Sequence, residues 1–147
     1  MSEIFTIFNN LPPELINIII SYTYEPQSPL LTNDIKDYYK SKPKISKLYF
    51  DRFVIDYGEP EPSDKDWLIN DLFGYANRGR PTMNGYVEAF YNLFFKYFSL
   101  RTFEQVNKMV KRIEGKPVVT QINIFWGIFS PEERNDFLIN KFPNNII

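Results

Sequence analysis

Large apolar side chains recur along this chain at helical spacing, interrupted at intervals by Pro, Gly and small polar residues. Apolar positions at i, i+3, i+4 and i+7 predict amphipathic helices, and the interruptions predict where each stops. Pro12 and Pro13 suit the opening turn of the first helix, where a missing N–H costs nothing, and the pattern continues to about Thr23. EPQSP, residues 25–29, breaks it. A second helix fits Leu31–Ser41, and a third starts at Pro43 and reaches Tyr57. GEPEPS, residues 58–63, is the longest breaker, an expected seam between an N-terminal region, 1–57, and a C-terminal region, 58–147, packed on it in one structural domain.

Beyond the seam, Ser63 with Asp66 resembles a capping box, with Asp in place of the better Glu. The helix it opens would carry Trp67, Leu68, Leu72 and Tyr75 towards one side and stop near Gly79. A fifth is expected from about Met83 to Phe98. Thr102 and Gln105 form a second box ahead of a sixth that Gly115 ends. Ser130, Pro131 and Glu133 form a third, opening a last helix to about Lys141. The β-branched stretch VVTQINIFWGIF, residues 118–129, suits a buried strand as readily as a helix; helix is expected because no partner strand is evident elsewhere. The expected fold is all-α: about eight short helices in one compact domain, with loops short enough for antiparallel neighbours.

The first helix is unusually apolar. Leu11, Leu15, Ile18 and Tyr22 form one stripe, and Ile16, Ile19 and Ile20 widen it to an arc of about 200° at helical periodicity. Only Glu14, Asn17 and Ser21 fill the remainder. A single core layer uses an arc of roughly 100°. Either the helix is sandwiched by other parts of the chain, or its outer face docks into a partner's groove, a common role for amphipathic helices.

NLPPELINIIISY, residues 10–22, resembles the opening of the F-box motif: a Leu–Pro pair, an acidic residue, then a Leu/Ile run ending near Ser-Tyr. The resemblance implies docking on a Skp-type adaptor of a cullin–RING ubiquitin ligase, through Leu11, Pro12, Leu15 and Ile19. It covers about residues 9–24; EPQSPLLTNDIKDYYKSK then departs from the family's continuation, and no tryptophan follows where the family often has one. WLINDLFGYANRGRPTMNGY and TQINIFWGIFSPEER are similar to segments of uncharacterised proteins of large DNA viruses with an F-box-like N-terminus. That likeness implies a viral origin and no biochemical activity.

Composition narrows the chemistry. The chain has no cysteine, which removes disulfides and thiolate metal sites, and no histidine, which removes the usual general base and commonest metal ligand. Its 14 Phe, 10 Tyr and 14 Asn beside two alanines favour A/T-rich codons, as in some viral, protist and parasite genomes. No segment is long and apolar enough to span a bilayer, and MSEIFTIFNN lacks the features of a secretory signal. An intracellular protein is expected, in host cytoplasm or a viral factory. Asp66, Asn70 and Asp71 raise the question of a Mg²⁺ site but read more simply as a cap and a solvated face; RGRPTMNG lacks the Lys-Ser/Thr of a P-loop. No cofactor, metal or enzymatic activity is expected.

Charge is uneven along the chain. Residues 1–75 carry 12 acidic and 7 basic side chains, net −5, and residues 76–147 carry 6 and 10, net +4. Lys108, Lys111 and Arg112 share a face of the sixth helix opposite Phe103, Val106, Val110 and Ile113; such a face can contact phosphates or simply be solvated. Arg78 and Arg80 flank Gly79 on a loop where their forks could reach an acidic partner or a phosphate, or stay solvated. YVEAFYNLFFKYF, residues 86–98, holds seven aromatics, most needed as core filler with a tyrosine or two left for contact. The expectation is therefore a non-enzymatic interaction adaptor. It would dock a Skp-type adaptor or a viral complex subunit through Leu11, Pro12, Leu15 and Ile19, with a second site around Trp67, Arg78, Arg80 and Tyr86. The alternatives are a nucleic-acid-binding accessory protein using the basic half, 78–116, or a structural virion component.

Overall fold

Most helices begin where the sequence supplies a proline or a side-chain cap, the exception being Glu88–Tyr97, which starts after Val87. The computed structural model describes residues 11–23 and 27–145, with 19–23 described by backbone alone. Its α-helices are α1 (Pro13–Thr23), α2 (Pro29–Phe50), α3 (Ser63–Ala76), α4 (Glu88–Tyr97), α5 (Phe103–Glu114), α6 (Val118–Ile128) and α7 (Pro131–Lys141). A π-helical turn covers Asp51–Asp56, and 3-10 turns cover Thr82–Asn84 and Pro143–Asn145. No strand occurs among the described residues, so the fold class is all-α as expected, and 118–128 form a helix.

The chain divides into two compact units, Met1–Asn33 and Asp34–Ile147. In the first, the Pro12 carbonyl accepts from the N–H groups of Leu15 and Ile16 at 3.0 and 3.1 Å, which puts Pro13 at the first helical position. The expected breaker at 58–63 falls within the second unit.

In the second unit α3 and α6 form the central packed pair. Leu68 and Leu72 of α3 and Ile122 and Phe125 of α6 are buried, with Phe90 and Phe94 of α4 and Val106, Val110 and Ile113 of α5 closing around them. Aromatic rings take the place of the missing alanines. Phe73 meets Phe125 with centroids 4.3 Å apart, and Phe90 lies on Tyr86 at 4.0 Å with planes 10° apart. Rings of this size dominate core burial and add specific ring–ring attraction. The capping boxes at Thr102/Gln105 and Ser130/Glu133 are both formed as the sequence predicts.

Four boundaries differ from expectation. Helix α2 runs through Pro43 instead of ending before it. Pro43 lies on the exposed face and Tyr39, whose carbonyl loses its donor, is exposed too, so water can satisfy that oxygen. Buried Ser41, Ile45 and Tyr49 anchor the inner face on both sides of the proline. The box at Ser63 does not form: Pro62 holds the cap position, Ser63 is the first helical residue, and its hydroxyl is buried without a partner. Helix α3 ends at Ala76, short of Gly79, because Asn77 turns its side chain inward. The segment expected as one helix from Met83 to Phe98 is split, since Gly85 adopts φ 89° between the 3-10 turn and α4.

Candidate functional site

Asn77 is completely buried at the end of α3, and it shapes the segment that follows. Its amide nitrogen donates to the carbonyls of Arg80 (2.9 Å) and Gly85 (3.1 Å), and its Oδ1 accepts from the Val87 N–H at 2.8 Å. Three hydrogen bonds from one side chain tie residues 80, 85 and 87 to the helix end. The intervening backbone turns tightly: Arg78 and Gly79 are left-handed, with φ 54° and 75°. A non-glycine residue held there is uncommon and persists only where surrounding structure fixes it.

This segment creates two adjoining concavities that share Arg80 and Pro81. One, of about 550 Å³, is walled by Arg78, Arg80, Tyr86, Val87 and Glu88. The other, of about 470 Å³, is bounded by Phe73, Met83, Glu114 and Gln121. Gln121 also donates to the carbonyls of Glu114 (3.1 Å) and Lys116 (2.8 Å), closing the end of α5. The Tyr86 ring is clamped on Phe90, and burial, with smaller contributions from Glu114 and Tyr91, raises its phenol above the usual range. It is a neutral hydrogen-bonding group at physiological pH.

Three of the four expected second-site residues, Arg78, Arg80 and Tyr86, therefore line one concavity. Trp67 does not. It sits ten residues before Asn77, roughly 15 Å along α3 by helical rise, stacked on Phe53 at 5.2 Å with its Nε1 donating to Glu59 at 3.1 Å. Of the N-terminal set, Leu11 is half-buried, Pro12 is exposed and Leu15 is 46% exposed; the side chain of Ile19 lies outside the described residues. Lys108, Lys111 and Arg112 are exposed on α5, but Lys108 already pairs with Glu104 at 2.9 Å.

Asp66, Asn70 and Asp71 separate in the same way. Asp71 accepts from the Tyr49 hydroxyl at 2.5 Å and from Lys141 Nζ at 2.8 Å, while Asp66 and Asn70 are exposed. Among the described residues no cluster of three or more acidic side chains is arranged to hold a metal. Burial first, then the hydrogen bond to Asp71, raises the Tyr49 phenol far above its usual range; Tyr75, bonded to Asp136 at 2.8 Å, is raised for the same reasons. A phenol whose folded value is raised contributes stability that is complete below its unfolded value of about 10 and is lost as pH climbs beyond it. Urea midpoints are expected to fall above about pH 10, and Tyr49→Phe should flatten that fall relative to wild type. An unchanged slope would mean that Tyr49 ionises freely in the folded protein.

Sequence reasoning missed Asn77 and a second organising residue, Arg134. Both are polar residues at or near helix ends, and Arg134 stands among Glu133, Asn135 and Asp136 with no apolar neighbour to mark it as buried. Comparison of the chain with protein-family models, curated proteins and solved structures gives no match.

Proposed function

We propose that the protein is a non-enzymatic interaction adaptor, of viral origin, that docks a protein partner through the outer face of α1. The observation that supports this reading is Leu15: on a helix with few polar positions, this leucine leaves 46% of its surface exposed. An exposed leucine alone is ordinary, but this one belongs to an apolar arc too wide for a single layer. The F-box-like pattern names the partner class as a Skp-type ubiquitin-ligase adaptor or a viral complex subunit, met in host cytoplasm or a viral factory. Among the described residues no helix is long and apolar enough to cross a membrane.

The test is affinity capture from transfected cells with wild type and Leu15→Asp/Ile19→Asp. Loss of a specific partner at unchanged helicity and melting temperature is expected. Retention of the same partner by the double variant would end the proposal. The nucleic-acid reading has less support, because the face formed by Lys108, Lys111 and Arg112 is already partly neutralised by Glu104. It predicts steeply salt-dependent binding that charge reversal at those three positions abolishes.

A further inference from the structure

We propose that the concavity walled by Arg78, Arg80, Pro81, Tyr86 and Val87 binds an acidic peptide, with one Asp or Glu carboxylate gripped by the two guanidiniums and its apolar neighbours against the Tyr86 wall. Arg78 and Arg80 make no ion pair or side-chain hydrogen bond among the described residues. By contrast Arg134 is fully engaged and Arg52 donates to the Lys141 carbonyl at 3.3 Å. Both arginines stand beside a concave wall. Charge in a cleft with low-dielectric walls focuses its field, and a guanidinium fork matches a carboxylate with two parallel hydrogen bonds.

The geometry also lowers the cost of binding. Buried Asn77 holds the segment through residues 80, 85 and 87, so the arginines start from a fixed backbone and less ordering is needed when a ligand arrives. The Tyr86 ring, stacked on Phe90, forms a rigid apolar wall of the concavity. A volume of about 550 Å³ exceeds one carboxylate and leaves room for the residues on either side.

Charge balance selects the ligand class. Two arginines and Glu88 line the concavity, a net charge of +1. That balance suits a single carboxylate better than a phosphate dianion, which would face the Glu88 carboxylate, and far better than a nucleic-acid strand. The site lies in the second unit and stands independently of docking by α1.

The test is fluorescence anisotropy of the full chain with labelled, end-capped heptapeptides carrying one central Glu or Asp between apolar residues. The same peptides with Gln or Asn, a phosphoserine series and a single-stranded oligonucleotide complete the set. The acidic peptides are expected to bind, and the amide versions to bind at least about tenfold more weakly, the scale of one charge-assisted hydrogen bond. Arg78→Asn/Arg80→Gln should weaken acidic-peptide binding about tenfold or more, while Lys111→Gln/Arg112→Gln leaves it unchanged. Asparagine tolerates the left-handed backbone at position 78, and Arg80→Glu alone is the second variant should the first be destabilised. Leu15→Asp/Ile19→Asp should bind the peptides as wild type does, which separates failure of this site from failure of the α1 reading. Absence of acidic-peptide binding, indifference to Arg80→Glu, or preference for phosphoserine or the oligonucleotide would each overturn the proposal.

Discussion

Replacing Arg134 with methionine is expected to destabilise the second unit by about 3 kcal/mol, the low end of the range for removing one member of a buried ion pair. Arg134 is only 1% exposed. Its Nη1 lies 2.8 Å from Asp34 Oδ1 and 2.9 Å from Asp37 Oδ2, and its Nε donates to the Trp126 carbonyl at 2.8 Å. Nη2 reaches the Gly127 carbonyl at 3.4 Å, and the guanidinium carbon stands 5.5 Å from the Tyr38 ring centre. One planar group therefore joins α2, the end of α6 and α7. Asp37 is 37% exposed, so water can solvate it once the arginine is gone, whereas the Asp34 Oδ1 that faces the guanidinium is buried and would be left without its cation. The carbonyl left behind on buried Trp126 has no recourse to water either, which is why the cost stays well above that of a surface pair. Lysine should not rescue, because one ammonium cannot reproduce the directed fork that reaches both helices. Asp37→Asn alone should cost under about 1 kcal/mol, since Asp34 remains in place. Urea denaturation followed by circular dichroism measures all three. A loss under about 1 kcal/mol for Arg134→Met, the worth of a surface pair, would show that the charge is solvated and organises nothing.

Arg134 also shows where the sequence runs out. The period of apolar positions places the helices, and Thr102/Gln105 and Ser130/Glu133 place two helix starts correctly, because these signals are local. The expectation that 118–129 is helical rested on the absence of a partner strand and agrees with α6. Pro43 misled because local chemistry says stop, while burial of Ser41, Ile45 and Tyr49 on either side carries the helix through. Ser63 misled by one position, since a proline took the cap. The partners of Arg134 lie 97 and 100 residues away, and nothing in the local pattern indicates that this arginine, among the ten basic residues of the second half, turns inward. For the candidate site, the Arg-Gly-Arg spacing on a loop was readable, with forks that could reach an acidic partner or a phosphate, or stay solvated. That Tyr86 would join those arginines and Trp67 would not depends on the loop closing back on α3, and Asn77, which closes it, reads in sequence as one more polar residue at a helix end.

Asn77→Leu is the second substitution expected to act strongly, and it acts on function and stability together. Leucine fits the volume but removes both donors and the acceptor. Val87 is half-buried and its N–H loses its partner, whereas the carbonyls of exposed Arg80 and Gly85 can be rehydrated. The expected cost is about 2 kcal/mol, closer to one unsatisfied group than to three. The larger effect is local. Without its tie the segment from Arg78 to Val87 keeps the backbone bonds of Arg78, Gly79 and Arg80 to the helix end, the 3-10 turn at Thr82–Asn84 and the Tyr86–Phe90 stack. It loses the side-chain bonds that close it back on α3, and exchange of the Val87 amide should accelerate far more than exchange of core amides in α3 and α6. Asn77→Asp keeps the bond from Val87 but aims a carboxylate at two carbonyl oxygens, so it should cost at least as much as leucine. If the concavity works as argued, Asn77→Leu loses acidic-peptide binding with both arginines still in place, because the arginines then pay the ordering entropy that Asn77 had removed. Hydrogen exchange read beside anisotropy decides the matter. A loop that exchanges freely yet still binds the peptides as tightly as wild type would show that preorganisation plays no part, and that the arginines attract their ligand by charge alone.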